Sequence, residues 1–149
     1  MRRVWADTIL AAEQQHLLRL LVWAALSIVA ATAIITMLTV RRVESALLAH
    51  FAYQTAAWGL VVGAVAAVSW HSLRLRDLAG AARLEHLVWL NVGLDVGYAA
   101  AGAVLAVTAW KLGRRLGAVG AGMAIIVQGL ALFVLELQFA AAVSRSSDG

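Results

Sequence analysis

The chain has no cysteine and no proline, and only 13% of its 149 residues are charged. Without cysteine there can be no disulfide, thiolate metal site or cysteine nucleophile. Without proline nothing demands a helix kink or the broken helices of many transporters. Catalytic signatures are missing too. No phosphate-binding glycine loop, dinucleotide fingerprint or nucleophile elbow occurs, and the serines lack a matching histidine and acid. The expectation is a non-enzymatic protein with no cofactor.

What is present is apolar: 63% of residues are hydrophobic, and the mean hydropathy is +0.86. Four long apolar segments run over Leu17–Val40, Leu47–Trp70, Leu87–Trp110 and Ala118–Val143. Each meets the requirement of about 20 residues for crossing a hydrocarbon core. This composition predicts an all-α integral membrane bundle of four transmembrane helices, one domain over 1–149. The first segment follows Met1, Arg2 and Arg3, yet it outruns a secretory h-region, and a polar lead (Asp7, Glu13, Gln14, Gln15, His16) precedes it. It reads as a retained helix.

The formal charge is +4. Because Arg41, Arg42, Arg74, Arg76, Lys111, Arg114 and Arg115 sit beside the spans, the charge points to lipid headgroups and not to nucleic acid. Four spans put both termini on one side. A count of basic residues favours that side as cytoplasmic by a small margin (Arg2, Arg3, Arg19, Arg74, Arg76, Arg83, Arg145), while the short, densely basic opposite loops argue the reverse. The linker between the second and third spans, HSLRLRDLAGAARLEH, would accommodate a short interfacial helix over 72–85.

The polar residues inside the spans fall into patterns. In the third span Asn91, Asp95 and Tyr98 share a helical face, while Gly93 and Gly97 form a G-x-x-x-G pair on the other side. The second span repeats this, with His50, Gln54 and Trp58 on one face and Gly59 and Gly63 on the other. The third helix is therefore expected to be the most enclosed by protein. The fourth span carries Gln128 and then Glu136 and Gln138. Counted from one membrane surface, Asp95 and Glu136 lie at a common depth of roughly 10 to 12 Å.

A charged acid at that depth costs on the order of 2.5 to 3.5 kcal/mol. Three arrangements would offset it: pairing with a snorkelling Arg19, a proton shared between Asp95 and Glu136, or a small wet cavity formed with Asn91, Tyr98 and Gln128. His50 belongs to one side of the membrane, and His16, His71 and His86 to the other, so no histidine pair at matching depth suggests haem. Glu13-x-x-His16 is too slight a motif to predict a metal. Trp23, Trp70, Trp89 and Trp110 fit an interfacial belt, whereas Trp58 lies at mid-span, in a core or in the wall of a pocket.

The strings HFAYQTAAWG (50–59), LNVGLDVGY (90–98) and IVQGLALFVLE (126–136) resemble a group of small bacterial four-helix membrane proteins catalogued as a domain of unknown function. Its most specific element is N-x-G-L-D-V-G-Y. The resemblance implies a multi-pass protein of the bacterial inner membrane with no assigned activity. The leading functional expectation is a scaffold or accessory subunit, a homo-oligomer or part of a larger membrane complex, associating through the glycine faces. The competing one is a small proton- or cation-coupled transporter or binding protein using Asp95 and Glu136. An intramembrane haem or metal protein comes third.

Overall fold

A computed structural model describes the backbone of residues 2–75 and 77–147 and the side chains of 6–75, 77 and 79–145. Among the described residues there are four helices and no strand: α1 (Arg2–Arg41), α2 (Ala46–His71), α3 (Leu78–Lys111) and α4 (Leu116–Ser147). All four are long and apolar enough to cross a membrane.

The helices exceed the apolar segments at particular ends. α1 begins at Arg2 and not at Leu17, because the polar lead contains no glycine or proline to stop it; its 40 residues extend about 60 Å. α2 starts at Ser45, whose hydroxyl accepts the Leu48 N–H at 3.3 Å, and α3 at Asp77, whose carboxylate accepts the Gly80 N–H at 2.7 Å. That second cap corrects the expectation of a separate interfacial helix over 72–85. Ser72–Leu75 form the connection, and Ala79–Glu85 are the first turns of α3. Arg76 lies outside the described residues. On the other side of the bundle, Gly113 takes a φ of +104° in the turn between α3 and α4, a conformation open to glycine at little cost.

The buried residues of α2, Ala52, Thr55, Gly59, Val62 and Ala66, recur at intervals of three and four. Ile9, Glu13, His16, Leu20, Ala24, Ser27 and Ala31 do the same on α1. This is the stripe of a helix packed at a shallow angle on its neighbour. The stripes close two apolar cores. One, at the level of the termini, joins Ile9 of α1 to Ala81, Leu84 and Val88 of α3 and to Phe139 and Val143 of α4. The other joins Leu17, Leu20 and Ala24 to Val62, Ala66 and Leu132.

The helix most enclosed by protein is α4, not α3: 39% of its apolar window is buried, against 22% for α3. α4 packs on all three other helices, whereas α3 packs closely on α4 and leaves its outer side uncovered. Gly59 of α2 does serve close approach, since a methyl group built there would lie 3.1 Å from the Ala24 carbonyl oxygen and from the Ser27 side chain of α1; one at Gly63 would touch Ala24 at 3.4 Å. Gly93 and Gly97 differ, for nothing lies within 4 Å of a methyl at either position. The glycines that join α3 to α4 are instead Gly102, Gly122 and Gly129.

Candidate functional site

The inward stripe of α1 carries two ionisable residues, Glu13 and His16, which are 5% and 6% exposed. His16 Nε2 lies 3.3 Å from Glu136 Oε1, and its ring stacks on Phe139 with centroids 4.3 Å apart and planes 8° from parallel. Glu136 and Phe139 are three residues apart, so one face of α4 supplies both contacts. By position along the chain His16 groups with His71 and His86 near the helix ends. Those two are exposed, whereas His16 turns inward. The signal was present in the sequence, since Glu13 and His16 continue the stripe of Ile9, Leu20 and Ala24.

Beside this pair a cleft opens between α2 and α3. One lobe, about 180 Å³, is bounded by Trp58 and Val65 of α2, Asn91, Asp95 and Tyr98 of α3, and Glu136 of α4. A second, about 260 Å³, continues past Glu13, His16 and Phe139 to Ser69 and Ser72. Leu20, Val65, Asn91 and Glu136 border both lobes. Asp95 is 5% exposed, and its Oδ2 has no hydrogen-bond partner among the described residues. Charged together, Asp95 and Glu136 repel each other. Trp58 meets Tyr98 edge-to-face, with ring centroids 5.1 Å apart, and its Nε1 is likewise unpartnered among the described residues. Asn91 and Tyr98 are exposed, at the mouth of the cleft.

The other polar residues singled out in the sequence lie elsewhere. Gln128, 1% exposed, faces α1, where it accepts the Trp23 Nε1–H at 2.8 Å and donates to the Ser27 hydroxyl at 3.1 Å. It therefore does not help to form the cleft, and Trp23 is an interhelical donor. Arg19 donates to Gln138 at 3.0 Å and is not the partner of either buried acid. His50 is exposed and bonded to the Ala46 carbonyl, with Gly117 of α4 against its ring; Gln54 is half-buried. Neither borders the cleft. Among the described residues no three His, Asp or Glu side chains converge as metal ligands.

Chemically, the cleft offers a carboxylate oxygen with no internal partner, a second carboxylate held by histidine, and two aromatic rings. A buried acceptor left unpaired costs roughly 1 to 3 kcal/mol, and more when charged. A proton or a cation at Asp95 would offset that cost.

The fold and this site define a class: an all-α four-helix bundle, each helix long and apolar enough to cross a membrane, with an acidic cleft between two helices. Within that class the chain belongs to a family of unknown function, DUF6992, matched over residues 19–137. The match takes in Asp95, Tyr98 and Glu136, and begins beyond Glu13 and His16. No curated protein and no solved structure matches the chain.

Proposed function

We propose that this is a multi-pass membrane protein, of the bacterial inner membrane as its sequence resemblance implies, that binds a proton or cation at Asp95 and Glu136 and moves it across the membrane as a small coupled transporter. The observation carrying this reading is the buried, unpartnered Oδ2 of Asp95 in an open cleft. A polar group that clamps helices spends its hydrogen-bonding capacity on them, as Gln128 does through both its oxygen and its nitrogen. Asp95 does not.

Membrane residence is supported by the outward face. Leu26, Val29, Leu60, Val104 and Leu130 are all more than half exposed, which suits lipid and not water. On that surface the hydroxyls of Thr32 and Thr39 donate to the Ile28 and Ile35 carbonyls at 2.8 and 2.9 Å, so neither needs water.

Asp95→Asn keeps the side-chain volume and removes the charge. In proteoliposomes under an imposed pH gradient, the variant is expected to retain its helical spectrum and melting temperature while proton flux falls to the rate of empty liposomes. Flux that persists in the variant, or a wild type no faster than empty liposomes, would overturn the reading.

A second reading, a scaffold or accessory subunit, draws on the uncovered outer side of α3, where Gly93 and Gly97 face open space. Small residues on such a surface let another helix approach closely. On this reading, native mass spectrometry of gently extracted protein should detect a complex that Gly93→Leu dissociates without lowering the stability of the chain. A wild-type monomer would sink it.

A further inference from the structure

We infer that the cleft between α2 and α3 takes a cationic amphiphile, an alkylammonium whose head sits against Asp95 and whose chain leaves sideways between the two helices. This rests on the reading of Asp95 and Glu136 as a ligand site and adds the chemistry of the ligand.

Charge sets the sign. The ionisable groups facing the cleft are Glu13 and His16 from α1, Asp95 and Tyr98 from α3, and Glu136 from α4, while α2 contributes Trp58, Ser69 and apolar side chains. His16 is engaged with Glu136, and Arg19 is bound to Gln138. Asp95 is therefore left facing the cavity with no cation opposite it among the described residues. A negatively charged ligand would meet carboxylates from three helices.

The walls decide which kind of cation. A tightly held metal ion commonly draws on three or more His, Asp or Glu side chains, and no such group converges among the described residues. The lobe beside Asp95 is instead walled by Trp58, Tyr98, Leu20 and Leu132. Aromatic faces and edges beside a carboxylate suit an ammonium that carries its own carbon, because the cation is attracted to the rings while its alkyl groups fill apolar space. Lobes of about 180 and 260 Å³ hold a head group and the start of a chain, but not a whole long-chain molecule; ligand sites commonly measure roughly 300 to 1,000 Å³.

The rim decides where the rest of the molecule goes. Val61, Val65 and Leu94 border the cleft and are 55%, 59% and 46% exposed. Set in a bilayer, this rim faces lipid and not water, so the cleft opens sideways into the hydrocarbon. An alkyl chain passing between α2 and α3 would cover the rim and end in lipid.

The test uses the full chain in nanodiscs of zwitterionic lipid, titrated with dodecyltrimethylammonium, dodecyl sulfate and dodecanol while tryptophan fluorescence is read. The expected result is a saturable change with the ammonium and none that saturates with the other two. Trp58→Phe should remove the signal, and Asp95→Asn should weaken binding about tenfold or more. Acidifying the wild type should also weaken it, since protons compete for the same carboxylates. That arm needs no variant and decides the matter even if Asp95→Asn does not fold. Equal responses to all three amphiphiles, an unaffected Asp95→Asn, or pH-independent affinity would each overturn the inference. If any of these appeared while Asp95-dependent proton flux persisted, the ligand class would fall and the parent reading would stand. Loss of that flux as well would remove both.

Discussion

Gly122→Leu should cost about 3 kcal/mol or more, measured by reversible unfolding in mixed detergent, and should separate α3 from α4. A methyl group at Gly122 would lie 2.7 Å from the Gly102 carbonyl oxygen and 2.8 Å from the Ala106 nitrogen. The contact is reciprocal: a methyl at Gly102 would meet the Gly122 carbonyl oxygen at 2.7 Å and the Ile126 nitrogen at 2.9 Å. These are backbone atoms inside helices, so they cannot turn aside as a flexible side chain would. Inserting bulk into a packed core commonly costs 1 to 3 kcal/mol, and here the helices must move apart to admit it. In lipid, where the hydrophobic effect gives no drive for helix association, such close backbone approach is a main source of affinity between helices. Gly122→Ala should lose less than the leucine variant and still be measurable. A leucine variant within about 1 kcal/mol of wild type would contradict this account of the α3–α4 interface.

The second large effect is expected at His16. His16→Phe preserves a flat ring for stacking on Phe139 but removes the 3.3 Å contact with Glu136. Glu136, 7% exposed, is then left beside Asp95 with its histidine gone. Removing one partner of a buried pair typically costs about 3 to 5 kcal/mol, most of it from the stranded group. Glu136→Gln in the same chain should recover much of the loss, because a neutral amide tolerates that position better than a carboxylate. A double-mutant cycle isolates the pair, and a coupling above about 1 kcal/mol is expected. A coupling near zero would mean that His16 and Glu136 are neighbours without energetic consequence.

Much of the architecture was legible because length and hydropathy are properties of each segment by itself. The four apolar runs became four helices, and Asp95 and Glu136, placed at one depth by counting residues, do border one cleft. Rotation about a helix axis is harder to read, because it depends on where the neighbours stand. Gln128 and Glu136 are eight residues apart, which turns them about 80° round the helix. That is enough for Gln128 to face Ser27 and Trp23 while Glu136 faces His16. The same uncertainty affected Gly93 and Gly97, whose spacing is as good as that of Gly59 and Gly63; spacing does not say which side of α3 meets α4.

His16 was obscured for a different reason. The polar lead lowers local hydropathy, so the apolar run appears to begin at Leu17, although the buried stripe continues back to Ile9 and the helix itself to Arg2. Polar residues packed between helices are invisible to a hydropathy count for the same reason that they cost energy to bury. The start of α3 is hidden in the same way, because a single N-cap, Asp77, makes helix of a segment whose composition is that of a linker.

The order of packing has a mechanical consequence. α1 packs closely on α2 and α3 on α4, so each half of the chain is a hairpin of sequence neighbours, and the halves meet through α4 against α1 and α2. Opposite that contact, Trp58 of α2 meets Tyr98 of α3 at the edge of the cleft between the two helices. A rotation of one hairpin against the other would leave the glycine contacts inside each hairpin intact, but it is opposed by Gly117 and Gly120 of α4, which sit against the His50 ring and the Leu47 backbone of α2. On the open side the edge-to-face aromatic pair is the contact such a rotation would break, and Asp95 borders the cleft beside it.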